Sequence, residues 1–292
     1  MHENEFDIAP GLVASLVTDQ FHEWAGLPIR RVASSGTVHV MYRIGDELVV
    51  RMPRTAEYSA ALVREAELLP RLGPLLPVAI PEVVAVGEPS EVYPSPWTVM
   101  RWIPGTTLDY VDVDVDLVVV AEQLGGFVSA MRRIDLPGTH SPNQRGRALA
   151  SADDWARSSI AAISDEFDAA SLMAIWDEGR DLPPWDGTAT WIHGDPLPGN
   201  LLIRDRRLAA VLDFGECAIG NPTHDLIAGW WVFDEPARAA FRNAANIDDA
   251  TWHRARAWSL CGAAGALAYY RTTNPPFASQ ARTTLRRVLD DR

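Results

Sequence analysis

The spacing of apolar residues predicts a strand-rich first third of the chain. Apolar positions at helical spacing predict a first helix over residues 12–25. Short apolar or alternating runs then predict strands at residues 29–33, 38–44, 48–52, 82–86 and 97–102. A second helix is predicted at 56–72, and Pro70 is expected to kink it or to end it early. Because Gly45-Asp46 is a tight-turn pair, the strands on either side of it should form an antiparallel hairpin.

After the break at Pro104-Gly105, apolar positions recur mostly at helical spacing. Helices are predicted at residues 118–133, 153–167, 169–178, 223–233, 236–243, 249–270 and 279–289. Short strands are predicted between them at residues 189–192, 201–203 and 208–212. This order predicts an α+β protein of two lobes. Residues 1–103 would form an N-terminal lobe around an antiparallel sheet, and residues 104–292 a mostly helical C-terminal lobe.

The composition fits a globular chain that is not built to bind nucleic acid. Of its 292 residues, 47% are hydrophobic and 22% are charged, and the formal net charge is −13. Nucleic-acid binding needs a basic surface, so no such partner is expected. The sequence contains no apolar run of about 18 residues, so no membrane span is predicted. Its N-terminal residues are acidic and do not resemble a signal peptide. With two cysteines in no spacing pattern, Cys217 and Cys261, we expect reduced thiols in a cytoplasmic protein.

The most informative stretch runs from a short apolar strand into His193-Gly194-Asp195 and then a Pro/Gly loop ending at Asn200. A second apolar strand leads into Asp213-Phe214-Gly215. Phosphoryl transfer needs one carboxylate to orient the acceptor hydroxyl and receive its proton, and oxygen ligands to hold Mg²⁺ against the phosphates. An Asp followed five residues later by Asn can supply both from one turn, and a further Asp at a strand end can complete the metal ligands. A turn would explain each motif alone, but the three together favour phosphoryl transfer.

These motifs resemble the catalytic loop and the metal-binding motif of the aminoglycoside phosphotransferase family, which shares its fold with the eukaryotic protein kinases. The run Gly220-Asn221-Pro222-Thr223-His224-Asp225-Leu226 also resembles a downstream element of that family. The resemblance extends over essentially the whole chain and is most specific in the C-terminal lobe. It therefore implies a two-lobed protein-kinase-like fold, with the nucleotide between the lobes.

The resemblance also implies roles for individual residues. Asp195 would be the catalytic base or the residue that orients the hydroxyl, and Asn200 and Asp213 would bind Mg²⁺. His193 would brace the loop by hydrogen bonding. Asp225 would hold the catalytic loop from a following helix, with a carboxylate near the positive end of a helix dipole as the less favoured alternative.

The phosphate side departs from the usual kinase pattern. Kinases place a lysine on the third strand, paired with a glutamate on the next helix, but all 26 basic residues of this chain are arginines. Arg51 lies at the lysine position and Glu65 lies on the following helix. Arginine keeps the charge and can hold phosphate oxygens in pairs, so Arg51 could replace the lysine. Alternatively, Arg51 is only a charge on the strand and Arg54 contacts phosphate.

Two further segments are expected to contact the nucleotide. Ser35 and Gly36 lie between the first two strands, where small residues would let backbone N–H groups approach the phosphates, although an ordinary hairpin turn is an equal alternative. The segment from Arg101 to Ile103 lies where the hinge would hydrogen-bond the base through its backbone. Because backbone contacts do not depend on side-chain identity, ATP and GTP both stay open as donors. The pattern Val-x-Arg-x-Pro-Arg resembles a bacterial branch of the family that includes macrolide phosphotransferases.

The sequence therefore predicts an O-phosphotransferase that uses Mg²⁺ and ATP or GTP on a small-molecule hydroxyl. An antibiotic acceptor could be a cationic aminoglycoside, bound by the carboxylates of Glu216, Asp234, Glu235, Asp248 and Asp249. It could instead be a macrolide, bound by the aromatic side chains of Trp230, Trp231, Phe233, Trp252, Trp258, Tyr269 and Tyr270. Under the simpler interpretation, most of those aromatic side chains belong to the core, and most of those carboxylates lie on the solvated surface. The alternatives are a metabolic kinase acting on choline, homoserine or a sugar, and a catalytically weak nucleotide-binding protein.

Overall fold

The computed structural model describes the elements of residues 5–32, 38–109, 112–141, 148–183, 185 and 189–291. The strands are β1 Ile29–Arg31, β2 His39–Ile44, β3 Leu48–Pro53, β4 Val83–Gly87, β5 Trp97–Arg101, β6 Thr106–Thr107, β7 Thr190–Ile192, β8 Leu201–Arg204, β9 Arg207–Val211 and β10 Ala218–Gly220. The α-helices are α1 Pro10–Gln20, α2 Ser59–Leu72, α3 Leu117–Met131, α4 Asp153–Ala162, α5 Ala169–Asp181, α6 Ala228–Trp231, α7 Glu235–Ala245, α8 Asp249–Tyr270 and α9 Pro275–Asp290. The chain therefore has the two-lobed kinase-like fold that its motifs imply.

The N-terminal sheet is antiparallel throughout, in the order β1-β2-β3-β5-β4. Successive side chains of a strand point to opposite faces, and the two faces of this sheet bury different surfaces. One face, with Tyr42 and Val50, joins Leu16 of α1 in an apolar cluster of the N-terminal lobe. The other face, with Val49 and Met100, joins the main core that continues into the helical lobe. Residues on this second face are thus directed at the cleft.

Helix α2 packs on the same side of the sheet as Val49 and Met100, since its Leu69 joins their core. The helix carries a buried stripe that includes Leu62, Glu65 and Leu69. Pro70 does not end this helix early, since α2 continues through it to Leu72. The proline removes the single N–H that would donate to the carbonyl oxygen of Ala66, while the Gly73 N–H still donates to Leu69 at the end of the helix. The length of α2 places Glu65 in the interior instead of at a frayed end.

The helical lobe is built around α8, which packs against α4, α5 and α9. Its limits, residues 249–270, coincide with the predicted helix. Two small sheets lie at the cleft side of this lobe, β6-β8-β9 and β7-β10. They place the end of β7 and the ends of β8 and β9 beside one another, and the predicted site loops follow β7 and β9.

Several boundaries differ from the predictions for local reasons. Strands β6 and β10 were not predicted, because two or three residues carry no readable period and their pairing comes from β8 and β7. The helix predicted at 223–233 is a 3₁₀ helix over Pro222–Ile227 followed by the short α6. Ala56–Tyr58 is likewise a 3₁₀ turn ahead of α2. The strand predicted at 29–33 ends at Arg31, and its last residue lies outside the described residues.

Within the described ranges, none of the helices combines the length and the apolar character that crossing a bilayer requires. Both Cys217 and Cys261 are free thiols, as the sequence predicts.

Candidate active site

His193, directly after β7, fixes the start of the catalytic loop from inside the core. The residue is fully buried, and its Nδ1 accepts a hydrogen bond from the backbone N–H of Asp195 at 3.2 Å. Its Nε2 lies 2.9 Å from the carbonyl oxygen of Leu212. Since Nδ1 accepts, Nε2 must carry the proton and donate it, which defines one neutral tautomer. The ring thereby connects the loop after β7 to the strand end that precedes Asp213.

Asp225 holds the same loop through its backbone. Its two carboxylate oxygens accept hydrogen bonds from the N–H groups of His193 at 2.8 Å and Gly194 at 2.7 Å. The residue is 1% exposed, and burial raises its pKa while these donors and His193 lower it. Asp225 lies in the first turn of a 3₁₀ helix, but both of its carboxylate oxygens accept hydrogen bonds from a different segment, the loop after β7.

Gly194 must be a glycine for the loop to turn. Its φ is +85°, a left-handed conformation that costs a residue with a Cβ roughly 1–2 kcal/mol. A Cβ at this position would also lie 2.9 Å from the backbone carbonyl oxygen of Glu216. The glycine therefore lets the chain reverse tightly and turn towards Asp195.

Asp195 and Asn200 form the rim of the loop. The Asn200 amide nitrogen donates to the Asp195 carbonyl oxygen at 2.8 Å and to its carboxylate Oδ2 at 3.0 Å. These contacts fix the direction of the Asp195 carboxylate, which is only partly buried. Because the amide nitrogen makes both bonds, the amide oxygen of Asn200 is the atom that could bind a metal.

Arg51 joins the two lobes across the cleft. One guanidinium nitrogen bonds to Glu65 of α2, and the other lies 2.9 Å from Asp213 Oδ1, which is 162 residues further along the chain. Arg51 is 7% exposed and Glu65 is 2% exposed. The second oxygen of Glu65 accepts the backbone N–H of Phe214 at 3.0 Å. One arginine therefore brings the predicted phosphate side and the predicted metal side of the site together.

Asp213 is held in an uncommon conformation, with φ +61°. Desolvation opposes its ionisation, but the Arg51 charge together with His39, His193 and the Gly215 N–H outweighs this effect and holds the pKa of Asp213 below its ordinary value. A non-glycine residue at positive φ costs free energy that the surroundings must supply, and such residues cluster at functional sites. The carboxylate is therefore ionised at neutral pH and is 47% exposed in the cleft.

Asp213 and Asn200 fit the chemistry of Mg²⁺. Both offer hard oxygen donors, and Mg²⁺ in phosphoryl-transfer sites commonly takes one or two protein ligands with substrate phosphates and water completing the octahedron. Among the described residues, no group of three or more His, Cys, Asp and Glu side chains could hold a metal ion by itself. Such a site therefore suits a metal that arrives with a phosphate ligand better than one enclosed by protein alone.

The remaining predicted nucleotide contacts divide into three cases. Arg54 forms an ion pair with Glu5 at 3.8 Å, whereas Arg51 faces the cleft, so the geometry favours Arg51 over Arg54 as the phosphate-side arginine. The Arg101 N–H is committed to the Glu82 carbonyl oxygen, and its side chain lies at the surface between Glu47 and Glu82, leaving only the backbone carbonyl as a candidate contact. Ser35 and Gly36 lie outside the described residues.

A model of the APH phosphotransferase enzyme family matches residues 28–258. The chain belongs to this family. The match includes the catalytic loop, the Asp213 turn, strand β3 with Arg51 and helix α2 with Glu65. A sequence search against curated proteins gave no significant match.

Solved structures of related fold include antibiotic phosphotransferases. The GDP and kanamycin complex of APH(2″)-IIIa has a TM-score of 0.71 at 18% identity, covering 96% of this chain and 99% of the other. The macrolide 2′-phosphotransferase MphH from Brachybacterium faecium has a TM-score of 0.64 at 22% identity, covering 94% and 97%. The streptomycin and ATP ternary complex of APH(2″)-IIa has a TM-score of 0.62 at 15% identity, covering 96% and 97%. At these identities the likeness shows that this APH-family chain shares their fold.

The acidic residues considered for acceptor binding mostly have structural roles in this APH-family chain. Asp234 accepts the N–H of Ala237 at the start of α7, and Asp248 does the same for Thr251 at the start of α8. Asp249 pairs with Arg242 on the surface. Of the candidates, Glu216 is the one whose backbone touches the catalytic loop, at Gly194.

The aromatic residues considered for acceptor binding are mostly core residues, as the simpler interpretation has it. Buried residues of this set are Trp230, Trp231, Phe233, Trp252 and Trp258. Tyr269 is an exception at 74% exposed. Most of these aromatics are buried, and two of the carboxylates cap helices. Neither set therefore favours a cationic acceptor over an apolar one.

Phe214 is a site residue to which the sequence assigned no role. Its ring packs edge-on against His193, with centroids 4.7 Å apart, and its N–H bonds to Glu65. It therefore links the catalytic loop to the Arg51–Glu65 pair. The only sequence indication of a role for Phe214 is its place in the triplet Asp213-Phe214-Gly215. An apolar residue after a candidate metal-binding Asp cannot be distinguished from a core residue until its neighbours are known.

Proposed function

We propose that this chain transfers the γ-phosphoryl group of ATP or GTP to a hydroxyl of a small molecule, with Mg²⁺ held by Asn200 and Asp213. The observation that carries the proposal is the contact of Arg51 with both Glu65 and Asp213. It assembles a phosphate-binding cation, a metal-binding carboxylate and the Asp195 loop around one cleft. Membership of the phosphotransferase family supports the reaction class.

In the proposed reaction the oxygen of the acceptor hydroxyl bonds to the γ-phosphorus while Asp195 accepts the proton of that hydroxyl. The bond between the γ-phosphorus and the β,γ-bridging oxygen breaks, and ADP or GDP leaves. Asn200 fixes the direction of that carboxylate through its amide nitrogen. Arg51 uses two guanidinium nitrogens for carboxylates, and a guanidinium has further N–H groups that can reach phosphate. Bound Mg²⁺ would neutralise charge on the phosphate oxygens. His193 and Asp225 keep the loop in place, and residues 101–103 would bind the base through their backbone.

We further propose that the acceptor is an antibiotic of the aminoglycoside or macrolide type. The neighbours of this fold include a kanamycin complex and a macrolide phosphotransferase, which supports both classes. A metabolic alcohol such as choline stays the alternative. We also propose that the protein is cytoplasmic. The boundary between its lobes would lie between residues 103 and 104, shortly after β5 ends at Arg101.

The test is transfer of radiolabelled γ-phosphate from ATP and from GTP to a panel of aminoglycosides, macrolides and small alcohols, with and without MgCl₂. Replacing Asp195→Asn should lower transfer at least about 100-fold, the usual share of a general base, while nucleotide binding is kept. Asp205→Asn is the matched control, because that side chain is 89% exposed in the β8–β9 turn and should leave transfer unchanged. Transfer by Asp195→Asn at nearly the normal rate would exclude the assigned role, and nucleotide binding without transfer to any acceptor would favour a catalytically weak protein.

A further inference from the structure

His39 faces the same cleft as Arg51. Strands β2 and β3 pair His39 with Pro53 and Met41 with Arg51, so these four side chains share one face of the sheet. The intervening residues of β2, Val40 and Tyr42, belong to the apolar cluster on the opposite face. His39 therefore lies diagonally beside Arg51, at the roughly 7–8 Å spacing of diagonal neighbours in a sheet.

The imidazole of His39 has an unsatisfied polar atom. Its Nε2 is buried and has no hydrogen-bond partner within the part of the chain that the structure describes. Most buried polar atoms of folded proteins do have a partner, because leaving one unmade costs free energy. An unpaired atom in a cleft is therefore best explained by a ligand that completes it.

The electrostatic surroundings identify what kind of group that ligand presents. Burial and the charge of Arg51 lower the pKa of His39 to about 3, so the ring is neutral near pH 7 and has one N–H donor. Arg51 itself is already shared between the carboxylates of Glu65 and Asp213. A second donor beside it suits an anion with several oxygens, which one shared guanidinium cannot satisfy alone.

We propose that His39 is a nucleotide-binding residue whose Nε2–H donates to a phosphate oxygen of the bound triphosphate, beside Arg51. This proposal rests on the proposed function, since it assumes that phosphates occupy the cleft between β3 and Asp213. The neutral His39 would then make part of the phosphate contact that kinases usually make with a lysine.

The test measures binding of fluorescent N-methylanthraniloyl ATP and GTP with MgCl₂, in the absence of any acceptor. His39→Phe keeps a planar ring without the donor and should weaken binding about tenfold or more, as expected for loss of a hydrogen bond to a charged group. His39→Gln places an amide N–H near the position of Nε2 and should stay within about threefold of the unsubstituted protein. Displacement by adenosine or guanosine, which have no phosphates, should be equally effective in all three proteins.

Binding by His39→Phe within twofold of the unsubstituted protein, at an unchanged melting temperature, would overturn the proposal. Equal losses for nucleosides and triphosphates would overturn it too, because a merely structural role affects both. If His39→Phe does not fold, the ¹⁵N signals of the histidine side chains decide, with the His39 signals assigned by comparison with His39→Gln. The Nε2 signal of His39 must shift when the Mg²⁺ complex of a non-hydrolysable ATP or GTP analogue is added, and no shift refutes the contact. Failure of the unsubstituted protein to bind either nucleotide would instead refute the proposed function.

Discussion

Replacing Arg51 with methionine removes the positive charge beside Glu65, whose side chain is only 1% exposed. Methionine has a similar length and fills the space without charge. The second partner, Asp213, is 47% exposed, so water screens most of its loss. The cost of the substitution therefore comes mainly from the uncompensated Glu65.

Breaking a buried ion pair from one side typically costs about 3–5 kcal/mol, because the remaining charge stays desolvated. For a chain of this size, at roughly 2 °C or more per kcal/mol, the melting temperature should fall on the order of 10 °C. Glu65→Gln in the Arg51→Met background should recover most of this loss. The glutamine oxygen can still accept the N–H of Phe214, while the buried charge is gone.

The loss should also depend on pH in a defined direction. Burial already raises the pKa of Glu65, and Arg51 opposes that rise, so removing Arg51 raises the folded-state pKa further. A carboxyl whose pKa is higher folded than unfolded adds stability below its unfolded pKa of about 4.3 and loses it as the pH rises through the folded value. Arg51→Met should therefore approach the double variant in stability at pH 5 and fall furthest below it at pH 8.

The assay is thermal unfolding by circular dichroism at pH 5, 6, 7 and 8, with Arg30→Met as the matched control. Arg30 pairs with Asp46 on the same sheet, but the two side chains are 65% and 89% exposed. Such a pair contributes at most about 1 kcal/mol, so this control should melt within a few degrees of the unsubstituted protein. The reasoning is refuted if Arg51→Met is as mild as Arg30→Met, or if Glu65→Gln does not recover stability.

Three further substitutions test the supports of the site. Asp225→Asn removes one of two charge-assisted bonds to the loop backbone and should cost about 2 kcal/mol in thermal unfolding and lower kcat, with nucleotide affinity kept. Gly194→Ala should destabilise by at least about 1 kcal/mol because of its φ of +85°, whereas Gly126→Ala in α3, with open space around it, should be neutral or slightly stabilising. Arg51→Lys keeps the charge but cannot hold both carboxylates in the same geometry. We therefore expect the free energy of unfolding to fall by about 1–2 kcal/mol and nucleotide binding to weaken in titrations. An unchanged affinity would show that the planar guanidinium is not needed.

The long elements of the fold could be predicted because their periods are written in the chain. Helix α8 has the predicted limits, since its 22 residues carry many turns of evidence. The two-residue strand β6 and three-residue strand β10 carry no such period and exist only because β8 and β7 supply their partners. The expectation that Pro70 could end α2 early was wrong, since the helix continues to Leu72.

The carboxylates of the helical lobe show the same limit for the site. Asp234 and Asp248 were candidates for binding a cationic acceptor, and both cap helices. Each directly precedes its helix, so a capping role could be read from the sequence. Whether the same oxygens also faced a cleft could not, because that depends on how α7 and α8 pack.

The sequence alone determined the chemistry that is local to one loop. Asp195 and Asn200 are five residues apart, and the short turn between them brings their side chains within hydrogen-bond distance. The tertiary structure alone indicates which positively charged side chain completes the site. Arg51 and Asp213 are separated by 162 residues, and only the closing of the sheet lobe onto the helical lobe brings their charges to 2.9 Å. Local spacing fixes short-range geometry, whereas a contact across the cleft depends on the packing of two separate cores.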